Sequence, residues 1–361
     1  MTESASTATE NTASPRPPVV RTGDRSESAP DGRAAPDRWR QLRGFIRRPA
    51  AGALGGTLIV YAFFVAAAGA HFVALTGTAS WLDQAAELGI VAIPIGLLMI
   101  AGEFDLSIAS VIGAASLTVA VGSGHYHLPL IVSIGIALGL AVVVGLINGI
   151  VTVKTGLPSF IVTLSTYFAL GGGTLALTRA LTTNTTADIQ AKGVLHTVFA
   201  GSVHQFNVSI LWWAGIALLA GHVLSRTVFG NWILATGGDQ DAARDAGVPT
   251  ARVKVALFVA TALGAALLGV VQALEYNGAQ VGQGEGFIFD AIIAAVIGGV
   301  LLQGGYGSAT GIVCGAMTYS IVNVGIYYTG WNADLAQLII GLLVLVAVIA
   351  NNFLRKLAMS D

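Results

Sequence analysis

Charge is scarce in this chain: Asp, Glu, Lys and Arg make up 10% of 361 residues, against about 25% in soluble domains. A surface so short of charged groups does not suit water, and a formal net charge of −1 offers no basic field for a nucleic acid. Cysteine occurs once, at Cys314, which excludes an internal disulfide; in its apolar run the thiol reads as inert packing. The run G-x-x-x-x-G-K-[ST] is absent, so ATP hydrolysis by a phosphate-cradling loop of that kind is not expected of this chain. H-E-x-x-H, G-x-S-x-G and C-x-x-C are absent too. The six histidines are scattered, and His125 with His127, two apart in a short loop, make a poor metal site. No nucleophile, base and metal cluster can be assembled. The chain is expected to be no enzyme and to bind no metal or cofactor itself.

What is abundant is apolar sequence, at 54%, and glycine, at 46 residues, roughly twice ordinary usage. A membrane-spanning helix needs about 20 predominantly apolar residues. Ten candidate spans follow, near 51–75, 85–102, 106–123, 129–153, 158–178, 208–225, 253–274, 288–303, 307–327 and 334–353, with the third and eighth short. The expected fold is an all-α polytopic membrane protein of about ten helices, some short or broken, occupying residues 50–355. Residues 1–49 differ. They hold six of the ten prolines and nine of the eighteen Lys and Arg, with many Ser, Thr and Ala and no apolar period, which reads as a disordered basic cytoplasmic tail. The apolar run beginning near Ala50 is too long for the hydrophobic region of a cleaved signal peptide.

Orientation follows from the basic residues. With the N-terminus inside, the tail, Lys154, the island 226–254 and Arg355 with Lys356 are all cytoplasmic, which accounts for sixteen of eighteen. Only Arg179 and Lys192 then lie outside, so both termini are expected in the cytoplasm of a plasma-membrane protein. Glycines repeat at four residues at Gly135 and Gly139, Gly145 and Gly149, and Gly307, Gly311 and Gly315. That spacing lets helix backbones approach closely in lipid, within one chain or across a dimer face.

The polar island 226–254 carries Arg226, Arg244, Arg252 and Lys254 between two long apolar runs. It has the outline of a short helix: Asp239 can cap its start, Gly247 can end it, and Pro249 blocks continuation. In the run Ala101–Ser107, Glu103 and Asp105 separate two apolar segments with barely four residues between them. This is either a tight cytoplasmic turn or a helix broken inside the membrane, with Asp105 capping the segment that begins at Leu106. Asn148 lies within an apolar span and must bond across helices or line a polar path. Phe160, Thr163 and Ser165 open the fifth span after Pro158 and Ser159, where hydroxyls can bond their own helix. Asp290 opens the eighth as a cap or gate residue.

Four stretches together carry a family resemblance. They are GEFDLSIASVIGA (102–114), GLINGIVTVKTGLPSFIVTL (145–164), GNWILATGGDQDAARDAGV (230–248) and FDAIIAAVIGGVLLQGGYGSATG (289–311). In this order, within about residues 85–350, they resemble the signatures of the membrane permeases of ABC-type sugar importers of the ribose and xylose class. Branched-chain amino-acid permeases are more distant relatives. One departure is visible: Asp239 stands where the family usually has Asn, and both residues cap a helix well. The resemblance implies two permease subunits, identical or closely related, around a central path. It implies two ATPase subunits below, where ATP is bound, and an extracytoplasmic sugar-binding protein above. It carries the ATPase-coupling helix onto Gly238, Asp239, Asp241, Ala242, Ala243, Arg244 and Gly247, with a small alanine face suited to a groove on the ATPase. The basic tail would be drawn to anionic membrane lipid. Asp105, Ser107, Asn148, Phe160, Thr163 and Asp290 are the candidates for the substrate path. The rival readings are an amino-acid permease of the same class and a secondary transporter coupled to an ion gradient. The latter would need Asp105 or Asp290 as a membrane-embedded ion site.

Overall fold

The computed structural model describes the backbone from residue 49 to residue 359 and side-chain burial from 52 to 349. The expected tail over 1–49 lies outside these residues except for Pro49. The described part belongs to one compact unit, residues 43–361. Helix α1 (Pro49–Ala68) ends at Gly69, whose φ of 69° breaks the run, and a single turn α2 (Ala70–Val73) follows. Helix α3 (Leu75–Ile100) leads through a non-helical segment, 101–107, into α4 (Ile108–Val119), which continues as a π turn to His125. Then come α5 (Leu130–Thr155), α6 (Ser159–Thr182), a small region with α7 (Val194–Ala200), and α8 (Ser209–Arg226). Two short helices, α9 (Val228–Gly238) and α10 (Gln240–Asp245), precede the long α11 (Thr250–Glu275). The chain closes with α12 (Phe287–Ile297), α13 (Ala309–Thr329) and α14 (Leu335–Met359). Strand content is slight: β1 (Thr186–Asp188) pairs antiparallel with β4 (Gly278–Gln280), and β2 (Ser202–Val203) with β3 (Phe206–Asn207).

The all-α expectation holds, with corrections to the spans. Among the described residues seven helices are long and apolar enough to cross a membrane: α3, α4 with its π turn, α5, α6, α8, α11 and α13. The apolar stretches Gly52–Ala68 and Leu335–Ile349 are shorter. The expected first span 51–75 stops early at Gly69. The second begins at Leu75 rather than 85, because Ser80, Asp83 and Gln84 continue the helix rather than precede it. The eighth is an eleven-residue half-helix, after which residues 298–308 run without helix.

Helix α3 is the axis of the fold: from Ala85 to Ala101, only Glu87 is not buried. It packs against α8, α11, α12 and α13, while α11 also packs along α4 and α5, and α13 along α1. Pro94 within α3 cannot donate to the Ile90 carbonyl one turn back. A Cβ at Gly264 of α11 would lie 3.1 Å from that oxygen and 2.9 Å from Pro94 Cγ. Glycine at 264 therefore lets α11 close against the kink. The spaced glycines sort by the same test: Gly145 and Gly149 abut the α11 backbone at 258–259 and 255, and Gly311 and Gly315 abut Gly298 and Ala294, all within the chain. Gly135 and Gly139 face open space.

Candidate functional site

Helix α10 is built by local signals. The Asp239 carboxylate accepts from the backbone N–H groups of Asp241 and Ala242 at 3.1 and 3.0 Å. At the other end Gly247 N–H bonds the Arg244 carbonyl at 2.9 Å and Val248 N–H bonds the Ala243 carbonyl at 2.9 Å. This is the double closure of a Schellman cap, with Gly247 at φ 85° and Pro249 two residues on. Gly238, Asp239, Asp241, Ala242, Arg244 and Gly247 are exposed. Ala243 is not: at 6% exposure it turns into the chain itself. The alanine face is thus divided, with Ala242 presented outward and Ala243 used for the helix's own seat.

Beneath α10 three backbone segments meet almost without side chains. Gly305 N–H donates to the Ile100 carbonyl at 2.8 Å. A Cβ on Gly237 would fall 1.8 Å from that same carbonyl oxygen and 2.6 Å from Gly305 N, which no side chain tolerates. The end of α9, the end of α3 and the 298–308 loop are therefore in backbone contact.

The 101–107 segment is largely buried, with Asp105 1% and Ser107 0% exposed, Phe104 half-buried and Gly102 exposed. It is a break between helices packed inside the protein, not a solvent turn. Helix α4 starts at Ile108, so Asp105 does not cap a helix beginning at Leu106. It folds the approach instead: one carboxylate oxygen accepts from Ser107 N–H at 2.9 Å and Ser107 Oγ–H at 2.6 Å. Its other oxygen accepts from the Thr261 hydroxyl of α11 at 2.7 Å. Asn148 of α5 donates from Nδ2 to Ser107 Oγ at 2.9 Å and accepts from the Thr166 hydroxyl of α6 at 2.6 Å. The loop N–H groups that a helix would have satisfied go to α6: Phe104 N–H to Ser159 Oγ at 3.0 Å, and Leu106 N–H to Thr163 Oγ1 at 3.1 Å. Asp105, Ser107, Asn148 and Thr163, with Thr261 of α11, thus form one knot across four elements, its polar groups paired as buried groups must be. Phe160 stands apart, 51% exposed on α6.

Asp290 belongs elsewhere. It lines a cavity of about 450 Å³ with Asp83, Glu87, Glu275, Asn207, Tyr276, Tyr319 and Phe287, among others. Glu275 ends α11, twenty-one residues beyond Lys254, or about 30 Å at 1.5 Å per residue. Within the cavity wall Gln272 Nε2 donates to Glu87 at 2.7 Å, Asn207 Nδ2 to Glu275 at 2.6 Å, and Tyr276 Oη–H to Glu87 at 3.0 Å. Desolvation and the nearby carboxylates of Glu87 and Glu275 raise the Tyr276 pKa, which keeps it a donor. The sequence reading missed this wall apart from Asp290. Ser80, Asp83, Gln84 and Glu87 have the i, i+3, i+4, i+7 spacing of one helix face, a signal lost by starting the span at 85. Among the described residues no group of three or more His, Cys, Asp and Glu side chains is placed to hold a metal ion.

A many-helix bundle with an exposed capped helix resting on a buried polar break is the build of a membrane permease. The chain belongs to the family described as branched-chain amino acid transport system / permease component, which matches residues 77–348. It is 30% identical to the fructose import permease protein of Rhizobium meliloti, over 83% of this chain and 84% of that one. To the L-arabinose transport system permease protein of Escherichia coli K12 it is 32% identical, over 83% and 91%. To the ribose import permease protein of the same organism it is 27% identical, over 82% and 91%. No solved structure matches the chain.

Proposed function

We propose that this chain is the membrane-spanning permease subunit of an ATP-driven importer that passes a monosaccharide, of the ribose or xylose kind, across the plasma membrane. Two ATPase subunits bind and hydrolyse ATP, a second permease copy or close paralogue completes the path, and an extracytoplasmic binding protein delivers the sugar. The observation that carries this reading is α10: a doubly capped helix exposing Asp239, Asp241, Ala242 and Arg244 beside the buried 101–107 break. Such a helix is a rigid handle. ATP binding draws the ATPase pair together, α10 moves with it, and the path opens on its other side.

With the basic residues inside, the cavity around Asp83, Glu87, Glu275 and Asp290 faces outward. Its carboxylates are acceptors for sugar hydroxyls, and its aromatic rings suit the apolar faces of a pyranose or furanose. The sugar would next meet the knot of Asp105, Ser107, Asn148 and Thr163, then the exposed Phe160 in the first, cytoplasmic turn of α6. The amino-acid alternative is less well supported, because the relatives compared above are named for sugars.

The deciding experiment is uptake of labelled D-ribose, D-xylose, L-arabinose and D-fructose in cells carrying the permease, its cognate binding protein and either an active or a hydrolysis-dead ATPase. Expected is uptake lost with the dead ATPase and insensitive to an uncoupler while ATP is maintained. Uptake that survives without the ATPase and collapses with uncoupler would make the protein an ion-coupled transporter, with Asp105 the first residue to test.

A further inference from the structure

Lys254 stands in the second turn of α11, where an unpaired ammonium among packed helices would be costly. It is paired twice. Its Nζ donates to Glu103 Oε1 at 2.5 Å and also to Gln240 Oε1, and the ion pair retains only 10% and 12% side-chain exposure. Burying such a pair adds little stability, since desolvation offsets the attraction. What it fixes is the registration of three segments: Gln240 is the first residue of α10, Lys254 belongs to α11, and Glu103 lies in the 101–107 break. Lys254 and Thr261 are seven residues apart, hence on one face of α11. Lys254 grips the break at Glu103, and Thr261 grips it at Asp105, two residues on. From Asp105 the contacts continue through Ser107 to Asn148 and Thr166.

We infer that Lys254 is a positioning residue for transport, passing displacement of α10 through Glu103 to the buried knot at Asp105. This rests on reading α10 as the ATPase contact. A push on α10 moves Gln240. The ammonium holds Gln240 and Glu103 together, so the 101–107 segment must follow, while the glycine contact of Gly237 with Ile100 and Gly305 gives the movement a close-packed fulcrum.

The test is the complete complex, permease with its ATPase and binding protein, in proteoliposomes, measuring sugar entering per ATP hydrolysed with the same four sugars. Lys254→Met keeps the apolar stem and should leave ATPase co-purification and hydrolysis intact while sugar per ATP falls roughly tenfold, a coupling loss of ordinary size. Lys254→Arg should retain most of the ratio. The double variant Glu103→Leu with Lys254→Met removes both charges, so it relieves any buried unpaired charge, yet it should stay as uncoupled as the single variant. A parental ratio in either Lys254→Met or the double variant overturns the inference. Failure of the underlying reading would look different: Ala242→Arg would then leave ATPase co-purification unchanged, whatever Lys254 does.

Discussion

At the scale of single residues, neighbours in sequence have opposite duties. Ala242 and Ala243 are chemically identical, but one is exposed and the other 6% exposed. Ala242→Arg should abolish uptake and ATPase co-purification while membrane levels stay normal. Ala243→Arg should lower membrane levels themselves, because the guanidinium would enter the chain's interior unpaired. Equal membrane levels for both variants on an immunoblot would contradict the burial of Ala243. Asp105 carries a different weight. Asp105→Ala would strip the acceptor from Ser107 N–H and Ser107 Oγ–H, at about 1–3 kcal/mol for each buried group left without one, while Thr261 Oγ–H keeps the Phe258 carbonyl at 2.8 Å. Asp105→Asn keeps an acceptor for Ser107 and should cost less. Thermal unfolding in detergent should rank parent, Asn and Ala in that order; an Ala variant as stable as the parent would mean the knot contributes nothing.

At the scale of elements, what could be read from the sequence was what is local. Asp239, Gly247 and Pro249 announce α10 because a cap is a matter of three or four consecutive residues, and the helix lies between them as expected. The break at 101–107 was half legible: its acidic residues marked an interruption, but whether that interruption lay in solvent or inside the protein depends on Ser159, Thr163 and Thr261, which come from other helices. The pair Glu103–Lys254 was illegible, since 151 residues separate its members. Helix ends were misjudged where composition misled. Ser80, Asp83 and Gln84 fall outside the expected span 85–102, although their spacing with Glu87 puts them on one face of α3. The expected eighth span, 288–303, runs through Gly298 and Gly299, where φ turns positive at Gly299 and the helix has already stopped. The junction of α9 with the two breaks gives a sharp test of element packing. Gly237→Ala should fail to accumulate, since its Cβ would meet the Ile100 carbonyl at 1.8 Å, whereas Gly238→Ala has nothing within 4 Å and should accumulate normally. If purified yields of the two variants match, α9 is not seated against Ile100 as described.

At the scale of the whole molecule, the two polar regions lie toward opposite ends of α11. The cavity with Glu275 is at its C-terminal end, and the pair of Lys254 with Glu103 is near its N-terminal end, about 30 Å away. A transporter needs this arrangement, with one end receiving the solute and the other receiving the push, and their assignment to the two sides of the membrane rests on the distribution of Lys and Arg. That assignment can be measured directly, because Cys314 is the chain's single cysteine and is buried. Ser80 lines the acidic cavity and is exposed, and Ala242 is exposed on α10. In a Cys314→Ala background, Ser80→Cys should react with a membrane-impermeant maleimide added to intact cells. Ala242→Cys should react only after the membrane is opened, and then less completely when the ATPase is co-expressed, since the docked subunit would cover it. The reverse pattern would turn the molecule over in the membrane. The cavity at Glu275 would then face the cytoplasm, and α10 would lie beyond the reach of any ATP-driven partner.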